Sequence, residues 1–160
     1  MKKIMNLEKM VERVKVLKKL EYNTICLTNG VFDILHRGHV EYLQMAKRYA
    51  DILIVAINYN ESVKKNKGEK RPINSTKDRA AVLAALECVD YVTIFKDPTA
   101  KEVIKLIRPH VYIKGGDYNI NTIDKGEKYY LKKCKSKVIF IPLSKGYSTT
   151  NLIEKIQGLK

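Results

Sequence analysis

The sequence predicts a doubly wound α/β fold, a parallel sheet of five strands with helices on both faces. Three observations support this prediction. Short apolar runs alternate along the chain with segments of helical periodicity. The apolar runs are continuous, as in strands buried on both faces. Each run is followed by a helix, which is the order of parallel strands joined by right-handed crossovers. A Rossmann-like sheet satisfies all three.

The first element is predicted to be an amphipathic helix within residues 1–22. Its apolar residues recur at spacings of three and four, at Leu7, Met10, Val11, Val14, Leu17 and Leu20. Such spacing places them in one stripe of a helix. The stripe would either cover the sheet of its own chain or dock on a second copy.

Strands and helices then alternate through an α/β core over residues 23–160. Strands are predicted where large apolar and β-branched residues cluster, over 24–28, 51–58, 91–95, 111–114 and 138–142. Helices are predicted from their spacing or from strong helix formers, over 39–50, 77–89, 99–107, 125–134 and 149–156. Polar loops are expected at 29–39, 59–75, 115–122 and 143–150. Since ligands bind at the carboxyl ends of strands in such sheets, these loops are predicted to hold the site.

Length and composition indicate a single domain, 1–160. A chain of this length buries ~70% of its unfolded surface, and 45% hydrophobic residues with only 8 Gly and 4 Pro leave little room for disorder. No apolar run reaches the ~18 residues of a spanning helix, and charges interrupt the N-terminal segment where a signal peptide would continue. The three cysteines are widely separated and form no CxxC pair. We therefore expect a soluble, cytoplasmic protein.

The chain is strongly basic, with 31 Lys and Arg against 17 Asp and Glu and a net charge of +14. Such a surplus suits nucleic acid, an anionic membrane surface or phosphorylated small molecules. Most lysines are spread along the chain, as on an ordinary soluble surface. The densest cluster, KKNKGEKR at 64–71, lacks the interleaved aromatic residues of single-strand binding sites. The charge alone does not choose among these partners; together with the motifs below, it leads us to expect small phosphorylated ligands, and neither nucleic acid nor a membrane.

The stretch TNGVFDILHRGH, residues 28–39, concentrates polar groups after the first core strand. It matches neither GxGxxG nor the P-loop pattern. Gly30 lets the backbone approach a ligand closely. His36 and His39 lie one turn apart on one helix face, and Gly38 leaves space beside them. The N–H groups of a helix start, together with imidazole donors, suit a phosphate.

Three other interpretations of the histidine pair stay open at this point. A metal site would need a third ligand, for which Asp33 is the obvious neighbour. Acid–base catalysis by either ring would be compatible with the spacing, although transfer between phosphates needs little proton movement. The pair could also be structural and cap the helix.

The motif set resembles a known family. HRGH fits the HxGH signature of nucleotidyltransferases, and TNGVFDILHRGHVEYL resembles the cytidylyltransferase-like branch. Four further stretches resemble the heptose 1-phosphate adenylyltransferases of that branch: NESVKKNKGEKRPIN, DRAAVLAALECVDYV, VYIKGGDY and GYSTTNLIEKI. The resemblance spans 23–156. In many bacteria this activity is joined to a sugar kinase, and the present chain resembles the stand-alone form.

The resemblance implies transfer of AMP from ATP to D-glycero-β-D-manno-heptose 1-phosphate, giving ADP-heptose and pyrophosphate. It implies Mg²⁺ with ATP, held mainly by phosphate oxygens and water, and a homodimer, since relatives commonly dimerise. One alternative keeps the chemistry but uses CTP and glycerol 3-phosphate. Relatives of that kind carry an arginine just before GxSTT, where this chain has Leu143, Ser144 and Lys145. The other alternative is a non-enzymatic protein that binds nucleic acid.

The resemblance also implies roles for particular residues. The catalytic set would be His36, His39, Lys64 and Lys67, with both lysines on a loop that closes over the phosphates. Nucleotide contacts are implied for both histidines and for Thr28, Asn29, Gly30, Phe32, Arg71, Gly115, Gly116, Asp117, Ser148 and Thr149. The sugar phosphate would contact Asp33 and Arg79, for which loop bracing and a surface salt bridge are the respective alternatives. One of the hydroxyl residues at 148–149 would in any case cap the last helix.

Overall fold

The computed structural model describes residues 2–20, 24–116, 118–142 and 146–159. The strands are β1 (Ile4–Asn6), β2 (Ile25–Gly30), β3 (Ile52–Asn58), β4 (Tyr91–Phe95), β5 (Val111–Gly115) and β6 (Lys137–Ile141). The helices are α1 (Leu7–Lys18), α2 (Arg37–Lys47), α3 (Asn60–Lys67), α4 (Thr76–Ala85), α5 (Lys101–Ile107), α6 (Lys125–Cys134) and α7 (Thr149–Gln157). Among these residues, no helix combines the length and apolar character that a membrane span requires.

The strands form one parallel sheet in the order β1-β4-β3-β2-β5-β6. From β2 the chain winds outward in one direction through β3 and β4, and β5 then returns to the other side of β2. The winding direction therefore reverses between β2 and β5. A crevice forms at such a reversal, outside the carboxyl ends of the strands.

The predicted fold class is confirmed, because the sheet has a hydrophobic core on each face. Along β2, Cys26 packs into one core while Ile25 and Leu27 pack into the other. Helices α2 and α4 cover the first face, and α1, α5 and α6 cover the second. Alternate residues of one strand thus enter opposite cores, which explains why its apolar run is continuous.

The predicted strand number is wrong, since the sheet has six strands where the sequence indicated five. The additional strand, β1, lies within the segment predicted to be helical. It pairs with β4 over three residues. Asn6 then caps α1 by accepting a hydrogen bond from the backbone N–H of Lys9. A strand this short and directly joined to a helix leaves no alternation that a sequence pattern could detect.

The predicted loop 59–75 is also wrong in part, because α3 occupies Asn60–Lys67. The residues that α3 buries are Ser62 and Val63. It therefore lacks the apolar stripe from which helices were predicted. The other elements of the α/β core lie within four residues of their predicted bounds, and α1 begins six residues and ends four residues inside the predicted segment 1–22.

The stripe of α1 covers the sheet of its own chain. Met10 and Val14 are buried, and they pack in the core that contains Ile25 of β2 and Ile104 of α5. Of the two uses foreseen for this stripe, the structure thus shows the intramolecular one. The homodimer stays a prediction.

Candidate active site

A cavity of about 700 Å³ opens at the carboxyl ends of β2, β3 and β5. It lies where the winding direction of the sheet reverses, and its volume is typical of small-molecule sites. Its walls are formed by Asn29, Gly30, Val31, Phe32, His39, Tyr42, Asn58, Asn66, Lys67, Pro98, Thr99, Lys114, Gly115, Tyr118, Thr122, Asp124 and Glu127. Six of these, Asn29, Gly30, Phe32, His39, Lys67 and Gly115, are predicted site residues.

The two histidines stack on each other at the start of α2. Their ring centroids lie 3.8 Å apart with an angle of 18° between the planes. Phe32 packs against His39 at 5.3 Å and Tyr147 against His36 at 6.0 Å. His36 occupies the N-cap position of α2, but its side chain makes no capping hydrogen bond. The stack therefore orients the rings for another purpose than capping.

Gly38 is needed for this stack. A Cβ atom at this position would lie 3.2 Å from His36 Nδ1 and 2.9 Å from the Cβ of Tyr147. The first contact would displace the His36 ring, and the second would displace Tyr147, which lies just before α7. The glycine between the histidines thus provides the space that the sequence led us to expect.

The burial of Nδ1 in both histidines indicates which part of the His39 ring faces the cavity. Nδ1 of His36 and Nδ1 of His39 are buried without a hydrogen-bond partner among the described residues. A proton on such an atom would be a buried, unsatisfied donor, which is costly. We therefore assign the proton of the neutral ring to Nε2, which leaves Nδ1 as an unpaired acceptor. Since His39 lines the cavity while its Nδ1 is buried, the ring faces the cavity through its other atoms.

The same burial keeps both rings uncharged. Desolvation, together with smaller electrostatic contributions from His36 and Lys67, lowers the pKa of His39 to about 4. Desolvation also lowers the pKa of His36. At neutral pH the stack thus consists of two neutral imidazoles, which can donate from Nε2 without first taking up a proton.

The turn after β2 presents backbone to the cavity. Phe32 adopts a left-handed conformation with φ 47° and is 7% exposed. A Cβ atom on Gly30 would lie 2.9 Å from the Phe32 ring, so the turn requires glycine there. Thr28 lies one step deeper in the sheet, where its fully buried hydroxyl hydrogen-bonds the Tyr42 hydroxyl. The structure thus brings Gly30 and Phe32 to the cavity and places Thr28 behind it.

Asp33 braces the loop that follows α3. One carboxylate oxygen accepts from Arg71 Nε at 2.8 Å and from the N–H of Ile73 at 2.9 Å. The other accepts from the N–H of Asn74 at 2.8 Å. The carboxylate is almost fully buried. Of the two roles foreseen for Asp33, these contacts favour bracing over binding of a sugar phosphate, and they also occupy Arg71.

Arg79 is buried and forms no salt bridge among the described residues. The alternative expectation for Arg79, a surface salt bridge, is therefore wrong. It is 2% exposed. Its guanidinium donates to the carbonyls of Val31, Asn58 and Asn74, and to the side-chain oxygens of Asn60 and Thr76. These partners lie on the turn after β2, the end of β3 and the start of α4. Through these hydrogen bonds the arginine holds together the segments at the edge of the cavity. Arg79 does not itself line the cavity.

The two predicted catalytic lysines lie on helix α3, which corrects their placement on a loop. Lys67, at the end of the helix, lines the cavity. Lys64 lies one turn earlier and pairs with Glu69 at 3.3 Å in an exposed position. The structure therefore brings Lys67 into the site and leaves Lys64 outside its walls.

The end of β5 contributes a close backbone approach. Gly115 lines the cavity, and a Cβ atom there would lie 2.7 Å from the Tyr42 ring. Gly116 has φ +91°, which favours glycine, and its N–H donates to the carbonyl of Ile141. Asp117, also predicted to bind the nucleotide, lies outside the described residues, as does the stretch 143–145.

The start of α7 lies beside the histidine stack and not on the cavity wall. Ser148 is the N-cap, and its hydroxyl accepts from the N–H groups of Thr150 and Asn151. Ser148 therefore has the capping role expected for one of the two hydroxyl residues. The Thr149 hydroxyl donates to the carbonyl of Ile34 at 3.5 Å.

Sequence reasoning missed a polar network on the opposite wall. Lys114 Nζ donates to Asn29 Oδ1 at 2.9 Å, to the Tyr112 hydroxyl at 3.2 Å and to Glu127 Oε2 at 3.3 Å. The Tyr112 hydroxyl also contacts Asn29 Oδ1 at 2.7 Å and Glu127 Oε2 at 3.0 Å. For Lys114, the available sequence signal was a lysine near the end of a buried strand. Nothing in the helical pattern of α6 marks Glu127.

The described residues contain no group of three or more His, Cys, Asp or Glu side chains that could hold a metal ion. The histidine pair therefore has no third ligand among them. The cation expected with a nucleotide is a different case, because Mg²⁺ is commonly held by phosphate oxygens and water.

Comparison with known proteins gives concordant matches. Residues 27–155 match the family described as cytidylyltransferase-like. The bifunctional protein HldE of Aliarcobacter butzleri is 50% identical over 133 residues, which is 83% of this chain and 27% of that protein. HldE of Helicobacter hepaticus is 47% identical over 145 residues, 91% of this chain and 29% of that protein. The chain thus spans less than a third of these curated relatives.

Two solved structures share the architecture. A lipopolysaccharide core biosynthesis protein from Thermoplasma volcanium has a TM-score of 0.63 and 27% identity, covering 79% of this chain and 99% of that one. A pantoate-beta-alanine ligase from Francisella tularensis has a TM-score of 0.60 and 16% identity, covering 96% of this chain and 76% of that one. The second likeness shows the fold alone.

Proposed function

Because the chain belongs to the cytidylyltransferase-like family of nucleotidyltransferases, we propose that it transfers AMP from ATP to D-glycero-β-D-manno-heptose 1-phosphate. The imidazole of His39, which stacks on His36 and lines the cavity together with Lys67, carries the proposal. The heptose substrate is supported by the HldE relatives and by the likeness to a lipopolysaccharide core biosynthesis protein. The products would be ADP-heptose and pyrophosphate.

The reaction is an in-line displacement at the α-phosphorus of ATP. A phosphate oxygen of the sugar 1-phosphate forms the new P–O bond, and the bond to the bridging oxygen of pyrophosphate breaks. The nucleophile is already ionised, so no general base is needed. The protein has to bring two anions together and stabilise the charge that develops. Positioning can contribute ~7–11 kcal/mol and one well-placed donor roughly 3–4 kcal/mol.

The side chains of the cavity suit these two tasks. His39 would donate from Nε2 to an oxygen of the transferring phosphate, with His36 holding it in orientation through the stack. Lys67 would neutralise a neighbouring phosphate from the end of α3. Gly30 and Gly115 let the backbone lie against the nucleotide. The histidine stack and the two glycine backbones are held by packing before the substrate arrives, as electrostatic stabilisation requires, whereas the exposed Lys67 would engage its phosphate on binding.

Mg²⁺ is proposed to enter with ATP. Since the described residues gather no ligand set for a metal, the phosphates and water would hold the ion, which is compatible with its octahedral preference. When bound, it would supply neutralisation of phosphate charge.

A turnover panel tests the proposed function. The purified protein is mixed with each of the four NTPs and with heptose 1-phosphate or glycerol 3-phosphate, and pyrophosphate release is followed. We expect the fastest turnover with ATP and heptose 1-phosphate. Fast turnover with CTP and glycerol 3-phosphate, and none with the proposed pair, would overturn the proposal in favour of a cytidylyltransferase.

A further inference from the structure

The wall opposite the histidine stack carries a carboxylate that is fixed in place. Glu127 is 3% exposed and lines the cavity. Its Oε1 accepts from the N–H of Ala100 at 2.8 Å, and its Oε2 accepts from the Tyr112 hydroxyl and Lys114. A carboxylate oxygen can accept two hydrogen bonds. Among the described residues Oε1 receives one, so it retains the capacity to accept another from a ligand.

Lys114 neutralises this carboxylate and does not offer its charge to a phosphate. An ammonium group has three donors. Here they go to Asn29, Tyr112 and Glu127, and the lysine is 9% exposed. A buried carboxylate without such a partner would repel anionic substrates and would itself be costly. The ion pair itself carries no net charge and still presents acceptor oxygens.

The same lysine sets the orientation of Asn29. Because an ammonium group can only donate, the atom of Asn29 that it contacts must be the oxygen, and the Tyr112 hydroxyl contacts the same atom. The amide NH2 group of Asn29 is therefore turned away from Lys114. Since Asn29 lines the cavity, this group is a donor next to the acceptors of Glu127.

Three further polar residues of the cavity wall lie close to Glu127 in the chain or next to one of its hydrogen-bond partners. Thr99, just before α5, adds a hydroxyl, and Thr122 and Asp124, just before α6, add a hydroxyl and a carboxylate. The cationic Lys67 comes from α3, and the neutral N–H donors of the histidine stack come from α2. Phosphates are favoured beside cations and disfavoured beside carboxylates. Neutral hydroxyl groups, which donate and accept, suit the side that carries Glu127.

We infer that Glu127 determines specificity by accepting a hydrogen bond from a hydroxyl group of a sugar ring, with Lys114 as its positioning residue. The inference rests on the proposed function. Two sugars could supply this hydroxyl, the heptose of the acceptor and the ribose of ATP. The chemistry of the wall is the same for both, and kinetics distinguishes them.

The test compares Glu127→Gln with wild-type protein in steady-state pyrophosphate release. Glutamine keeps the shape but removes one acceptor oxygen and the charge. We expect the KM of one substrate to rise at least about tenfold, while the KM of the other and kcat change less than about threefold. A rise for heptose 1-phosphate identifies the acceptor sugar, and a rise for ATP identifies the ribose. Glu102→Gln, on the outer face of α5, is the matched control.

A second variant covers the case in which Glu127→Gln does not fold, as judged by its thermal midpoint. Thr99→Val removes a hydroxyl from the same wall with little change in volume, and the same selective rise in one KM is expected. The inference is overturned if folded variants change neither KM, or lower kcat alone. Failure of the proposed function would appear differently, as wild-type protein without turnover of ATP and heptose 1-phosphate.

Discussion

Two imidazole nitrogens of the histidine stack are buried without a hydrogen-bond partner in the part of the chain that the structure describes. Buried polar atoms are nearly always hydrogen-bonded, and exceptions concentrate where function requires them. Desolvation keeps both rings neutral, and we assign the proton to Nε2. Under the proposed function, the site would thus meet two polyanions with uncharged donors from the stack and with the cationic Lys67.

Replacing either stacked ring should impair chemistry more than binding. We expect His39→Ala and His36→Ala to lower kcat about 100- to 1,000-fold, because a donor to the developing charge is lost or displaced. The dissociation constant of ATP, measured by calorimetry, should change less than about threefold. His110→Asn is the control, since His110 accepts from the N–H of Ile25 at the opposite end of β2. Unchanged kcat in both alanine variants would refute the role.

The low pKa of His39 predicts a specific pH dependence. Its folded pKa of about 4 lies below the value of 6.5 for an unperturbed histidine. The unfolded chain therefore binds more protons between these values, and the contribution of His39 to stability is complete above pH 6.5 and is lost as the pH falls toward 4. Nitrogen-15 NMR should show a neutral ring with its proton on Nε2 at pH 7 and a midpoint near 4. A midpoint near 6.5 would contradict the assignment.

The sequence could predict that His36 and His39 lie together at the start of a helix with space left by Gly38, because the motif is short and its spacing fixes their positions. Resemblance alone indicates Lys67, and only together with Lys64, since spacing does not separate the two lysines.

The sequence could not place Arg79 or Glu127. Both depend on contacts with residues far away in the chain, such as Val31 for the arginine and Lys114 for the glutamate. Tertiary packing determines whether a single charged side chain lies at the surface or is buried in a hydrogen-bond network. The local sequence contains no pattern that reports this packing.

At the scale of elements, α3 delivers one lysine to the cavity and leaves its neighbours in solvent. Lys67→Ala should lower kcat/KM at least about tenfold, because a cation beside the phosphates is removed. Lys65→Ala is the matched control: this lysine is on the same helix, exposed, and absent from the cavity wall. Equal effects of the two substitutions in the pyrophosphate assay would show that only the overall charge of α3 matters.

The brace between Asp33 and the loop after α3 predicts a loss of stability. Asp33→Asn removes the charge that Arg71 pairs with and one of the acceptors for the loop N–H groups. We expect the free energy of unfolding in urea to fall by roughly 2–4 kcal/mol. Glu102→Gln breaks an exposed pair with Lys105 and should cause no measurable change. If Asp33→Asn also caused no measurable change in the free energy of unfolding, the bracing role would be contradicted.

Elements with an apolar pattern could be predicted, and elements without one could not. β1 is too short to show a period, and α3 is polar nearly all round, so neither carries the signal on which prediction depends. Both lie beside longer elements that stabilise them, β1 through pairing with β4 and α3 through the contacts of Ser62 and Val63. In these two cases tertiary contacts stabilise an element that has no recognisable pattern in the sequence.

At the scale of the whole molecule, the topology explains where the site lies. The reversal of winding between β2 and β5 opens the crevice, and the turns after these strands supply Gly30 and Gly115. Continuous apolar runs could predict a parallel sheet but not the strand order, which is set by which helix covers which face. The homodimer also belongs to this scale, and light scattering tests it.

The structure with a non-hydrolysable ATP analogue and heptose 1-phosphate tests the central claim most directly. The claim is that the neutral histidine stack donates to the transferring phosphate. It predicts Nε2 of His39 within about 2.6–3.2 Å of an oxygen of the α-phosphate. A triphosphate bound elsewhere, with the rings still packed between Phe32 and Tyr147 and touching no phosphate, would contradict it.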